Sequence, residues 1–118
     1  ARSTSVIPRP IGLAREREFT MIGEKVSADK ALEWGLINHV IDDDKLMDRV
    51  MQVAKNIASG PTVALSLIKK LYWESFSNNF EEQLAAESAA QTIAGKSEDS
   101  KIGVMSFIQK TKPKFRGK

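Results

Sequence analysis

Phe107 and Lys110 are the most specific chemical pair in this sequence. They lie three residues apart, so on a helix they share one face, and Gly103 one turn earlier leaves room on that face. An aromatic ring can stack on a base, and an ammonium group offers a compact charge to a phosphate, so the pair suits a nucleotide. The alternative is that Phe107 belongs to the core and that the nearby lysines only keep the chain terminus hydrated.

The other side chains that could act as nucleophiles or metal ligands lack partners. His39 is the only histidine and there is no cysteine, so a usual zinc site cannot be completed. Ser66 and Ser106 have no neighbouring base, and no G-x-S-x-G elbow occurs. The glycines are scattered, which excludes a Walker-type phosphate loop. We therefore predict no metal site and no nucleophilic catalysis within these residues.

The carboxylate pairs 16/18 and 81/82 and the acidic run 42–44 do not predict an acid–base pair. Glu16 with Glu18, and Glu81 with Glu82, are spaced too closely to share a helix face, so we expect these side chains to be solvated. The run 42–44 consists of three aspartates and is typical of a turn that starts a helix, where carboxylates accept from free amides. A calcium loop would spread its ligands over about twelve residues.

Length and composition predict one globular domain at most. The chain has 118 residues, of which 42% are hydrophobic and 28% charged, and the lack of cysteine excludes a disulfide scaffold. No stretch approaches the roughly 20 apolar residues that cross a bilayer, and the first ten residues lack the apolar core of a secretory signal. We expect no membrane partner, and we expect a bacterial cytoplasmic location, with an organellar matrix as the alternative.

The net charge of +3 is mild, but five of the cations lie in the last nine residues. Such a strip, without interleaved aromatics beyond Phe107 and Phe115, would give weak and salt-sensitive binding to phosphates at best. We therefore expect no nucleic-acid partner.

Glycines, prolines and capping residues divide the chain into helices that would position these groups. Residues 1–10 are predicted to be an irregular lead-in, because prolines favour extended neighbours. Ser27 and Ser97 are typical helix starts, and Gly95 is expected to break a helix. The predicted helices are 13–22, 27–34, 45–59, 62–76, 80–94 and a last one from 97 that Pro113 closes, with Leu36 to Ile41 as the one strand candidate. The helix over 62–76 is apolar on more than one face, which predicts a subunit or domain contact.

These landmarks resemble the enoyl-CoA hydratase/isomerase (crotonase) superfamily. The segment 21–41, MIGEKVSADKALEWGLINHVI, is similar to the superfamily pattern TGE followed by S-A-x-x-A-x-x-x-GL-V. An acidic turn, a long helix, the Gly60-Pro61 junction and the run from Ser97 to Phe115 follow in the family order. Residues 33–35 and 95–97 resemble epoxyacyl-CoA isomerases slightly more than typical hydratases.

The resemblance implies a mostly α fold: the C-terminal helical, trimer-forming region of a crotonase-like α/β subunit, with at most one short strand. Residues 1–10 would then lead in from a missing N-terminal half, and 11–118 would be the helical region. That missing half would supply the oxyanion donors and acidic residues, so no catalytic residue is carried onto this chain. Phe107 and Lys110 match the aromatic and lysine that approach CoA, although Thr111 stands where arginine is common.

Two functional hypotheses follow. In the first, the chain is part of an acyl-CoA hydratase or isomerase that stabilises a thioester enolate, takes a CoA thioester as substrate, holds no permanent cofactor and assembles as a homotrimer or hexamer. The 118 residues alone would then be inactive. In the second, the chain is a stand-alone oligomerisation or interaction module without catalysis.

The resemblance also bears on Trp34, which could lie near an acyl pocket or simply pack in the core.

Overall fold

The computed structural model describes residues 11–118, and the predicted lead-in over 1–10 lies outside the described residues. Every regular element in the described part is a helix, which confirms the mostly α fold class. The helices are α1 (Leu13–Ile22), α2 (Ala28–Glu33), α3 (Asp43–Ala58), α4 (Thr62–Glu74), α5 (Phe80–Lys96) and α6 (Glu98–Ile108). The described chain divides into two compact units, the first ending at Met47 and the second running from Asp48 to Lys118.

In the first unit, capping residues set the bounds of two short helices. Gly12 precedes α1, and Gly23 ends it in the left-handed region with φ 73°, where glycine avoids the steric cost of a Cβ. Ser27 caps α2, since its Oγ accepts a hydrogen bond from the Lys30 amide at 3.2 Å. The predicted bounds 13–22 and the predicted helix start at Ser27 are confirmed.

The predicted strand over Leu36 to Ile41 is wrong, because residues 34–42 form turns and irregular backbone. The chain curls back on α2 instead: the amides of Leu36 and Ile37 both donate to the Ala31 carbonyl, at 2.9 and 3.4 Å. An apolar run needs a neighbouring strand to pair its backbone groups, and the described residues contain no strand.

In the second unit, α5 packs against α4 and against α6. Asn79 starts α5 with a capping box: its side chain accepts from the Glu82 amide, and the Glu82 carboxylate accepts from the Asn79 amide, each at 2.9 Å. Ala90 of α5 is buried, and the Gln83 side chain donates to the Leu71 carbonyl of α4 at 3.4 Å. Small side chains on α5 therefore allow close approach of the helices.

The junction of α5 and α6 differs from the sequence prediction. Gly95 does not break α5, which continues to Lys96, and Ser97 separates the two helices. Ser97 Oγ accepts from the Ser100 amide at 3.1 Å and donates to the Ala94 carbonyl at 2.7 Å, so one side chain serves both helix ends. This cap stabilises the boundary at Ser97, and a glycine inside a helix costs only about 1 kcal/mol. At its other end α6 stops at Ile108, well before Pro113.

Most large apolar side chains of the described chain are exposed. Ile11, Ala31 and Ala90 are the buried hydrophobic residues, whereas Met47 of α3 and Trp73 of α4 are more than half exposed. The amphipathic α3 contains no buried residue at all. Within the described residues, no helix is long and apolar enough to cross a membrane.

Candidate functional site

The chain reverses direction where α6 ends. Gln109 caps the helix in the right-handed region, and Lys110 then adopts φ 54°. The Lys110 amide donates to the Phe107 carbonyl at 3.2 Å, and the Thr111 amide donates to the Ser106 carbonyl at 2.9 Å. This is the hydrogen-bond pattern of a Schellman motif, which satisfies carbonyls that the helix end leaves free.

Lys110 occupies the position in this motif that glycine usually takes. It is the one non-glycine residue with positive φ in the described chain. A side chain there costs roughly 1–2 kcal/mol, because Cβ approaches the following carbonyl. Lys110 is thus held just beyond the helix and not on the helical face predicted from its spacing to Phe107. That spacing argument is corrected: Phe107 lies in the last turn of α6, and Lys110 lies in the turn that follows the helix.

Phe107 lies on the surface of the chain. Its side chain is 85% exposed, so the alternative that it belongs to the core is wrong for the described residues. The Phe115 ring lies in the space beside Gly103 that the sequence left open for a ligand. A Cβ placed on Gly103 would be 3.7 Å from that ring. Gly103 therefore accommodates the chain's own tail, whereas Phe107 is open to a ligand.

The tail after Lys110 runs back to the start of α6, where Asp99 holds it. Asp99 is 1% exposed, and its two carboxylate oxygens accept from the amides of Arg116 at 2.6 Å and Gly117 at 2.8 Å. The Asp99 amide itself donates to the Lys118 carbonyl at 3.0 Å. Sequence reasoning gives no signal for this role of Asp99, because a contact 17 residues away leaves no mark in local spacing.

Two cations lie over the ring of Trp34 in the first unit. The Arg15 guanidinium and the Lys30 ammonium are 5.8 and 6.0 Å from the ring centroid, and Lys30 also pairs with Glu33 at 2.9 Å. Trp34 is half-buried, so it is neither a fully packed core residue nor freely exposed. The two cations stabilise its position through cation–π attraction.

Glu16 contradicts the expectation that the paired carboxylates are solvated. It is only 5% exposed, and it accepts a hydrogen bond from Thr20 Oγ1 at 2.9 Å. A threonine four residues later on the same helix face was the available signal, since i,i+4 side chains meet. Glu18, Glu81 and Glu82 are exposed as expected.

His39 is exposed, and no group of three potential metal ligands occurs in the described part of the chain.

The sequence model of one protein family, described as enoyl-CoA hydratase/isomerase, matches residues 1–118. This chain belongs to the enoyl-CoA hydratase/isomerase family. The recognition made from sequence is therefore confirmed.

Relatives within the enoyl-CoA hydratase/isomerase family include isomerases and hydratases. The chain is 39% identical to 1,2-epoxyphenylacetyl-CoA isomerase of Escherichia coli over 98% of its own length and 44% of the relative's. It is 31% identical to trans-2-decenoyl-[acyl-carrier-protein] isomerase of Streptococcus mutans, covering 96% of this chain and 43% of that one. A crystal structure of an enoyl-CoA hydratase subunit from Geobacillus kaustophilus superposes with TM-score 0.94 at 32% identity, over 100% of this chain and 46% of that one. The chain thus spans less than half the length of these relatives.

The strained turn of this family member predicts an unusual stability change. We expect Lys110→Gly to raise the free energy of unfolding by about 0.5–1 kcal/mol, because glycine adopts positive φ without a Cβ penalty. Gln109→Gly, one residue earlier in the right-handed region, is the matched control and should lower it by about 0.5–1 kcal/mol. Urea denaturation of the two variants and the parent measures both changes. Destabilisation by both glycines would contradict the assignment of strain to Lys110.

Proposed function

We propose that this chain is the C-terminal helical region of an acyl-CoA hydratase or isomerase subunit, with 11–118 as that region and 1–10 leading into it. Family membership over all 118 residues supports this most directly. The coverage of 44% of the E. coli relative agrees with it. So does the exposure of large apolar side chains on α3 and α4, which a complete subunit would have to cover.

On this proposal the reaction itself is carried out by residues that precede the chain. Two backbone N–H groups would polarise the thioester carbonyl and stabilise the enolate, and a carboxylate would move the proton. No residue of the described part is assigned a catalytic role. A bacterial cytoplasmic location belongs to the same proposal.

Among the reactions of the family, we favour isomerisation of an epoxyacyl-CoA such as 1,2-epoxyphenylacetyl-CoA. The 39% identity to the E. coli isomerase is what supports this choice. Hydration of an enoyl-CoA is the alternative, supported by the 32% identity to the G. kaustophilus hydratase subunit. Both reactions use a CoA thioester and an enolate-like intermediate, so the role of this chain is the same in either.

The contribution of this chain would be to bind the nucleotide end of the CoA thioester. Phe107 is 85% exposed at the end of α6 and offers a ring for stacking on adenine. The turn presents the exposed Lys110 two residues past the last helical residue, where its ammonium can pair with a CoA phosphate. The exposed Phe107 ring and the strained backbone of Lys110 both cost the free chain stability. A ligand that contacts both residues would explain why the chain keeps these two features.

Assembly into a homotrimer or hexamer is the remaining part of the proposal. Tyr72 and Trp73 of α4 are 72% and 62% exposed. The ring centroid of Phe76, just past the end of α4, lies 5.5 Å from that of Trp73. Adjacent exposed aromatics are typical of surfaces that a second copy covers. Oligomerisation without catalysis remains the second candidate function, and this surface favours it as well.

The reaction is tested by assaying the 118-residue chain beside the longer subunit that contains it. We expect turnover of 1,2-epoxyphenylacetyl-CoA or crotonyl-CoA by the longer subunit only, because the proposed oxyanion donors lie in the part of the subunit that precedes this chain. Absorbance of the thioester and chromatography of products measure it. Turnover by the chain alone would refute the placement of catalysis elsewhere, and inactivity of the longer subunit on all acyl-CoA thioesters would refute the enzymatic proposal.

The nucleotide contact is tested by two substitutions in that longer subunit. We expect Lys110→Ala to weaken CoA binding about fivefold, in a salt-dependent way, because it removes one ion pair. Phe107→Ala should weaken it about tenfold, with little salt dependence, because it removes stacking on adenine. Lys101→Ala, which removes an exposed lysine of the same helix, is the control. Calorimetric titration with CoA measures the affinity of all three variants. Equal affinities for Lys110→Ala and Lys101→Ala would rule out the contact between Lys110 and the phosphate.

The assembly surface is tested by sedimentation. We expect the unmodified longer subunit to sediment as a trimer or hexamer. A Tyr72→Glu/Trp73→Glu double variant of it should dissociate, because the two substitutions introduce two charges into an apolar contact. Glu81→Lys on the exposed start of α5 is the control for altered surface charge. A parent that stays monomeric at high concentration would argue against this surface as an interface.

A further inference from the structure

Asp99 is the most buried of the acidic residues in the first turns of the described helices. Glu98, its neighbour in the same turn, is exposed, whereas Asp99 is 1% exposed. A buried carboxylate is costly unless its oxygens accept hydrogen bonds, and here two backbone amides of the tail, from Arg116 and Gly117, supply them. The contact therefore fixes the end of the chain to the start of α6.

The length of the tail couples this contact to the turn at Lys110. Lys110 follows Asp99 by eleven residues, which is about 16 Å along a helix. The six residues from Lys110 to Arg116 can reach at most about 20 Å when extended. The tail therefore returns with little slack, and the ring of its Phe115 lies beside Gly103, about one turn after Asp99. Chain reversal can then occur no later than the residue that follows Gln109, and that residue is a lysine.

We propose that Asp99 is a positioning residue for Lys110: by holding the tail amides, it keeps Lys110 in the left-handed turn that presents its ammonium to the nucleotide end of a CoA thioester. This inference rests on the proposed nucleotide contact and adds the residue that sets its geometry. The two local hydrogen bonds of the turn oppose the steric cost of a left-handed backbone at Lys110, and the held tail supplies the remaining constraint. Released from Asp99, the lysine can relax to a right-handed or extended conformation.

The test is a double-mutant cycle in the full-length protein that carries this chain, with adenosine 3′,5′-bisphosphate as the probe in calorimetric titrations. Asp99→Asn keeps the side-chain shape but turns an NH₂ group toward one of the tail amides, so one hydrogen bond is lost. We expect it to weaken binding of the probe about threefold to fivefold when Lys110 is present, and less than about 1.5-fold in a K110A background. Glu98→Gln removes the same charge from the same helix turn and should change neither affinity.

The cycle separates positioning from a general effect on stability. An equal loss in both backgrounds, or no loss from Asp99→Asn, would overturn the positioning role and leave the nucleotide contact standing. An unchanged affinity in Lys110→Ala would instead overturn the proposed contact, and the positioning role with it. Hydrogen exchange adds an independent reading: the Thr111 amide, bonded to the Ser106 carbonyl, should exchange faster in Asp99→Asn.

A second variant loosens the same contact from the tail side and leaves the buried carboxylate intact, which covers the case in which Asp99→Asn fails to fold. Gly117 has φ 75°, and a Cβ there would lie 2.7 Å from Thr62 Oγ1, so Gly117→Ala strains the tail where Asp99 holds it. We expect the same pattern: weaker probe binding with Lys110 present and little change in K110A. Equal losses in the two backgrounds would overturn the proposal here too.

Discussion

The buried carboxylate of Asp99 is the constraint on which the C-terminal half of this structure depends. Its oxygens lie at 2.6 and 2.8 Å from two tail amides, and its own amide binds the last carbonyl of the chain. Charge-assisted bonds of this kind are about twice as strong as neutral ones, and burial strengthens them further. A polar contact thus holds the tail against α6, whereas small apolar residues allow α4 and α5 to pack together. The direction of the tail and the site of chain reversal follow from it.

The large apolar side chains contribute little to the interior of the described chain. Ala31 and Ala90 are buried, whereas Leu46, Val50 and Ile57 of α3 are all at least 44% exposed. Helices whose apolar stripes face outward gain stability from packing only when another layer covers them. Family membership and the share of each relative that the chain spans agree with such a covering layer, whether from the same subunit or from a second copy.

Local chemistry in the sequence predicted the helix starts and missed the contacts made over distance. Ser27 and Ser97 cap helices as expected, because a hydroxyl needs only the amide three residues later. The apolar run after Trp34 was misread as a strand, since its pattern says nothing about whether a pairing strand exists. Gly95 was misread as a breaker, because the Ser97 cap outweighs the modest cost of an interior glycine.

The candidate site shows the same division. The residue types of Phe107 and Lys110 indicate a nucleotide, but their helical spacing gives the wrong geometry, because the turn at Lys110 depends on a tail contact that local spacing cannot encode.

On the proposed function, the position of Lys110 matters for the reaction as well as for binding. Contacts to a remote part of a substrate can offset the cost of orienting its reacting group, so a misplaced nucleotide slows a reaction that takes place elsewhere. A rigid, strained turn serves that purpose better than a flexible tail, because a lysine already fixed in position loses less conformational entropy when the phosphate binds.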